Sequence, residues 1–145
     1  MEPAEAKIAQ CVCGSVRKAA RAVTKVYDDA LRPAGIRITQ LGILGVAVRI
    51  GPVTVTQLAE ATMTDRTTLT RNLKVLEQKD FIRIEAGNDQ REREITVTSQ
   101  GREALSIAYP IWKEVQSKVI KSLGEDRWNV LRDGLAAVTS LGKDD

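Results

Sequence analysis

Histidine is absent from this 145-residue chain, and cysteine occurs twice, at Cys11 and Cys13. The first absence excludes imidazole acid–base chemistry and most zinc sites. Two cysteines are too few for a disulfide framework. Aromatic residues amount to 3%, so the core must come from Leu, Ile, Val and Ala, a composition that suits packed helices. No apolar run approaches the ~20 residues of a membrane span. The acidic start, Met1-Glu2-Pro3-Ala4-Glu5, lacks the hydrophobic region of an export signal, and a cytoplasmic location is expected. No cofactor and no metal site are expected, and no nucleophile motif suggests an enzyme.

What is present is helical periodicity. One helix is expected from about Pro3 to Leu31, with apolar residues at Ile8, Val12, Val16, Val23, Tyr27 and Leu31. Arg32-Pro33-Ala34-Gly35 breaks it. A second helix, capped by Thr39, runs through Leu41, Leu44 and Val48 to the Ile50-Gly51-Pro52 stop. Thr54-Val55-Thr56-Gln57 has the spacing of a capping box and opens a short third helix. Met63-Thr64 makes a tight turn. A further helix, capped by Thr64, extends from Asp65 to about Lys79 and buries Leu69, Leu73 and Leu76.

Two alternating segments follow, 81–85 and 94–98, separated by the turn-forming Gly87-Asn88-Asp89-Gln90. They predict a β-hairpin. Thr98 caps a long helix carrying Leu105, Trp112, Val115, Val119 and Leu123, with Pro110 inside and Gly124 at its end. The last helix bears Trp128, Leu131, Leu135, Val138 and Leu141.

Short helix, turn, helix and hairpin compose a winged helix-turn-helix, so the expected fold class is mainly α with a small β-hairpin wing. The second helix of the motif presents Thr64, Asp65, Arg66, Thr67, Thr68, Arg71 and Asn72. Hydroxyl side chains and a free helix N-terminus suit phosphates, and Arg71 and Asn72 reach base edges in a major groove. The hairpin tip carries Asp89, Gln90, Arg91 and Arg93. Arginine on a narrow projection suits a narrow minor groove. Between Met63 and Glu94, however, seven basic residues face seven acidic ones. DNA binding then requires acids that are paired or turned away, and a winged protein-interaction module without DNA binding is the alternative.

From end to end the chain resembles a MarR-family transcriptional regulator. The resemblance rests on Thr54 to Ala59, on Asp65-Arg66-Thr67-Thr68-Leu69-Thr70-Arg71-Asn72-Leu73, on Leu76-Glu77 before Phe81-Ile82, and on Asp89-Gln90-Arg91 before Ile95-Thr96-Val97-Thr98 and Gly101. It implies a homodimer that binds a palindromic operator on double-stranded DNA as a repressor and leaves it when an effector binds. Arg71 and Thr68 carry over as major-groove contacts and Arg91 as the wing arginine. One departure is Asp80, where the family usually has glycine; Asp tolerates the left-handed conformation at modest cost.

The whole chain reads as one domain. Residues 38–98 form the DNA-reading lobe, and residues 1–37 and 99–145 the dimerisation helices. Trp112, Val115, Val119, Trp128, Leu131 and Leu135 are the expected dimer contacts. The resemblance also implies a small anionic or phenolic effector, or an oxidant. The stretch from Lys7 to Arg37 carries seven basic residues, Arg17 and Arg21 among them, which fits an anion as well as a solvated face. Thr24 to Tyr27 resembles the peroxide-sensing branch, in which a cysteine of this helix is oxidised and tyrosines hold its thiolate. Cys11 and Cys13, two residues apart on one helix, would diverge by about 200° and act separately.

Overall fold

The computed structural model describes residues 2–89 and 91–143. In chain order these residues form α1 (Ala4–Ile8), α2 (Val12–Leu31), a 3-10 turn (Arg32–Ala34), α3 (Ile38–Ile50), β1 (Val53–Thr54), α4 (Val55–Thr62), α5 (Arg66–Gln78), β2 (Ile82–Ala86), β3 (Arg93–Val97), α6 (Ser99–Leu123) and α7 (Glu125–Ser140).

The single N-terminal helix expected from Pro3 to Leu31 is two helices. The amide of Cys11 closes α1 on the Ile8 carbonyl at 3.0 Å. Cys11 itself is extended, with φ −59° and ψ 130°, and caps α2. No residue of α1 is buried, so no tertiary contact holds a register that Cys11, Val12 and Gly14 disfavour by propensity. At the other end, Gly35 takes the left-handed φ of 68° and closes on the Arg32 carbonyl.

Thr39 does not cap α3. The cap is Arg37, and the α2 carboxylate of Asp28 accepts the Ile38 amide at 2.8 Å. A carboxylate ten residues back therefore fills the place a local hydroxyl was expected to take. Gln40, buried, accepts the Arg37 amide at 3.3 Å. In α4 the capping box forms as read: Thr54 and Gln57 exchange hydrogen bonds of 3.0 Å in each direction. The turn before α5 places Met63 in the left-handed region at φ 49°, and Asp65, not Thr64, is the cap.

Leu69, Leu73 and Leu76 are buried along α5. After it, Asp80 adopts φ 60°, the left-handed conformation expected of it from the sequence. The hairpin pairs Ile84 with Ile95 and Ile82 with Val97. The sheet has a third strand that the periodicity did not reveal: β1 pairs with β3, in the order β1-β3-β2, and sets the fully buried Val53 beside Ile95.

Thr98 ties the wing to α6. Its hydroxyl accepts the Gly101 amide at 3.0 Å and donates to the Asp80 carbonyl at 2.5 Å. Helix α6 continues through Pro110 to Gly124. One core joins Leu31, Leu44, Leu58, Leu69, Leu76, Ile82 and Ile95 with Ala108 of α6. Helix α7 contributes no buried residue. No single helix among the described residues is long and apolar enough to cross a membrane.

Candidate nucleic-acid interface

The leucine stripe of α5 fixes which way its other side chains point. With Leu69, Leu73 and Leu76 inward, Thr67, Arg71 and Lys74 lie opposite, flanked by Thr70 and Thr68, and all five are exposed. Thr70 and Lys74 lie outside the set expected from sequence, although their spacing from Arg66, Thr67 and Arg71 puts them on the same face.

The remaining residues of the expected set have local duties. The Asp65 carboxylate accepts the Thr68 amide at 3.0 Å. That hydrogen bond holds its carboxyl below the usual carboxylate range, so it stays ionised. An acid committed to its own helix end is one of the seven that could have opposed DNA. Thr64 donates its hydroxyl to the Thr62 carbonyl at 3.3 Å. The guanidinium of Arg66 donates to the Thr56 hydroxyl at 3.2 Å, linking the two helices of the motif. Asn72 is half-buried and donates to the Thr68 carbonyl at 3.3 Å, which turns it away from the outermost face.

The wing projects Arg91 and Arg93, both exposed. Asp89 accepts the Arg91 amide at 3.0 Å, and the Glu92 amide returns to the Asp89 carbonyl at 2.9 Å. This Asx-type turn uses a second acid of the seven to shape the tip. Gln90 lies outside the described residues.

Beside α5 opens a cleft of about 1000 Å³. Its walls are Arg21, Lys25 and Arg32 of the α2 side and Arg71, Asn72, Val75 and Lys79 of the α5 side, with Arg37, Thr39 and Gln40 between them. Lys79 donates to the Gly35 carbonyl at 2.6 Å across the two sides. Asp29 is taken up by Lys25 at 2.7 Å and Arg32 at 2.8 Å, and these cations hold its carboxyl below the usual range. Asp28 is engaged at the α3 cap. The cleft is therefore cationic, and Arg71 belongs to both the cleft and the outer face.

The comparisons with known proteins bear on this arrangement. A family model described as MarR family matches residues 34–92. The M. tuberculosis transcriptional regulator MosR, solved in complex with DNA, is 39% identical, with 90% of this chain and 98% of that chain covered at a TM-score of 0.76. The chain belongs to the MarR family. A mutant of E. coli MarR complexed with operator DNA shares the fold at a TM-score of 0.83 and 19% identity, over 94% of this chain and 99% of that one. An uncharacterized HTH-type transcriptional regulator of Bacillus subtilis, YwoH, is 24% identical over 106 residues, 73% of this chain and 72% of its own length.

Of the effector residues expected from the MarR resemblance, only Arg21 lines the cleft. Arg17, Cys11 and Cys13 are exposed outside it. Tyr27 is buried, with its hydroxyl donating to Gln116 of α6, and burial raises its pKa. Fourteen residues of helix, about 21 Å, separate it from Cys13, so the two do not meet within one chain. The expected divergence of Cys11 and Cys13 on one helix also lapses, because Cys11 stands in the extended cap. Among the expected dimer contacts, Val115 is buried within its own chain and Trp112 packs on the core, while Leu131 and Leu135 are 41% exposed.

Proposed function

We propose that this MarR-family chain is a DNA-binding repressor that acts as a homodimer on a palindromic operator in the cytoplasm. The observation that carries the reading is the outward face of Thr67, Arg71 and Lys74, held rigid by a leucine stripe and flanked by a wing bearing Arg91 and Arg93. The MosR relative solved with DNA supports it. Phosphates would be met by Thr67, Thr68 and Lys74, base edges by Arg71, and the minor groove by Arg91. Residues 38–98 read DNA; residues 1–37 and 99–145 hold two reading lobes about one or more DNA turns apart.

Release would follow from occupation of the cationic cleft by a small anion. Arg71, Asn72, Val75 and Lys79 form one wall, so an occupant touches the helix that reads the operator. An anion held by Arg21, Arg37 and Arg71 draws the Arg71 guanidinium away from a base edge, and the two ligands then compete. The exposed thiols of Cys11 and Cys13 support oxidation as a second route to release.

Titration against duplexes selected from random DNA tests the reading. Binding should weaken steeply with salt, and Arg91→Ala should cost about 1–3 kcal/mol with unchanged circular dichroism. A chain that enriches no duplex, and binds equally at low and high salt, would be the winged protein-interaction module instead.

A further inference from the structure

The cationic cleft between α2 and α5 holds more charge than one carboxylate can match. Six basic side chains line it, Arg21, Lys25, Arg32, Arg37, Arg71 and Lys79, against the two carboxylates of Asp28 and Asp29. Both carboxylates are occupied. Asp28 accepts the Ile38 amide, and Asp29 pairs with Lys25 and Arg32. Among the described residues, no carboxylate forms a salt bridge with Arg21, Arg37 or Arg71. The bases are also spread out. Arg21 and Lys25 are one turn apart on α2, and Arg32 lies about 16 Å from Arg21 along the helix axis. A single carboxylate has two oxygens and satisfies one guanidinium fork. It would leave most of these cations unmatched.

The lining offers an aromatic ring little. Among the described residues, no aromatic side chain lines the cleft. Of its larger apolar residues, Ile36 is 4% exposed and Val75 is half-buried, so neither presents much surface for a ring to cover. Thr24 and Thr39 add hydroxyl donors between the bases. The aromatic surface lies elsewhere: Tyr109 and Trp112 stack beside a groove between α3 and α6 that no charged side chain lines. A phenolic acid needs an apolar wall and a cation in one pocket, and here the two are apart.

We infer that the cleft binds a multivalent oxyanion, a small molecule with at least two phosphoryl or carboxylate groups, and not the phenolic acid that the family resemblance implies. The inference rests on the cleft as the release site of the proposed function and names the chemistry of its occupant. One anionic group is taken by Arg21, Lys25 and Arg32 on the α2 side, and another by Arg71 and Lys79 on the α5 side. Lys79 already reaches the Gly35 carbonyl at 2.6 Å, so the two walls stand within the span of one side chain. A ligand that bridges them ties the operator-reading helix to α2, which an anion on one wall cannot do.

The test is calorimetric titration of the full chain with pyrophosphate, citrate and benzoate, at fixed ionic strength and without divalent cations. Pyrophosphate and citrate distinguish a phosphoryl from a carboxylate source. At least one of them should bind about tenfold tighter than benzoate. Arg21→Ala should weaken that binding about fivefold and leave operator affinity unchanged. Asp29→Asn should tighten it about threefold, because Lys25 and Arg32 are released from their shared carboxylate. A gain of this kind does not follow from a merely structural role. No binding by any of the three, or binding indifferent to both substitutions, would overturn the inference. Loss of operator affinity in Arg21→Ala would make the cleft a DNA surface and overturn it as well. Operator release is measured separately. Benzoate that binds more tightly and frees the operator would refute the ligand class and leave the release site standing. A multivalent anion that binds through Arg21 yet leaves the operator bound would uphold the ligand class and refute the release site.

Discussion

Gly101→Ala should destabilise this protein by about 2–4 kcal/mol, although it replaces glycine with the best helix former in the first turn of a 25-residue helix. Propensity alone would give a gain of about 1 kcal/mol. Packing reverses the sign. A Cβ at Gly101 would lie 2.1 Å from the Phe81 carbonyl oxygen and 2.7 Å from a Val97 methyl group. The oxygen cannot step aside, because it accepts the Thr98 amide at 3.0 Å. Relief requires α6 to withdraw from the wing. Withdrawal strains that bond, the Thr98 hydroxyl bond to Asp80 and the cap on the Gly101 amide. Each such bond is worth about 0.5–1.5 kcal/mol net, and overpacking adds about 1–3 kcal/mol. Urea denaturation at fixed protomer concentration gives the difference from the midpoint and slope. Gly14→Ala is the control: its Cβ meets Cys11 at an ordinary 3.9 Å, and stability should rise by up to about 1 kcal/mol. If Gly101→Ala were stabilising as well, the close seat of α6 against Phe81 would be wrong.

Two further outcomes test the assembly and the electrostatics. Deleting residues 125–145 removes the exposed stripe of α7 and should leave a monomer at concentrations where the full chain is dimeric, with loss of tight palindrome binding; a truncated chain that still sediments as a dimer would show that α7 is dispensable. Asp65→Ala should lower stability at pH 7, and the difference should shrink on acidification. The Thr68 amide depresses the Asp65 pKa in the folded state, below an unfolded value near 3.9. Its contribution is therefore complete above the unfolded value and is lost as pH falls through the lowered folded one. An equal gap between variant and parent in urea melts at pH 7 and pH 3 would rule out the ionised cap.

Where structure depends on neighbours in sequence, the reading from sequence holds. The Thr54–Gln57 box and the Thr98 cap are three-residue relations, and both form. The stripe of Leu69, Leu73 and Leu76 needs only helical spacing, and all three are buried. One miss is local: the α5 cap falls on Asp65 and not Thr64, because the Asp65 carboxylate takes the Thr68 amide. The others arise where a distant partner or missing burial decides. Asp28 takes over the α3 cap from ten residues away. Strand β1 is two residues long and exists because Val53 finds Ile95 forty-two positions later, beyond the reach of any periodicity. The break at Cys11 follows from missing burial, which a pattern of apolar residues does not disclose.

The site divides along the same line. The outward residues of α5 were legible because a helix with one buried stripe leaves one opposite face. Spacing does not distinguish a side chain free on that face from one committed elsewhere. Asp65 and Asn72 are spent on α5's own backbone, and Asp89 on the wing turn. These commitments also answer the even charge count from Met63 to Glu94. Two of its acids shape the elements that present the bases, while Arg71, Lys74, Arg91 and Arg93 stay exposed. The cleft was partly legible, since Arg21, Lys25, Arg32 and Arg37 stood out as a basic run. Its other wall belongs to α5, about 40 residues on, and Lys79 reaching the Gly35 carbonyl ties the two rims together. A ligand there and DNA on the outer face must share Arg71, so a charge reversal at Arg71 should weaken both, whereas loss of Arg21 should spare the operator.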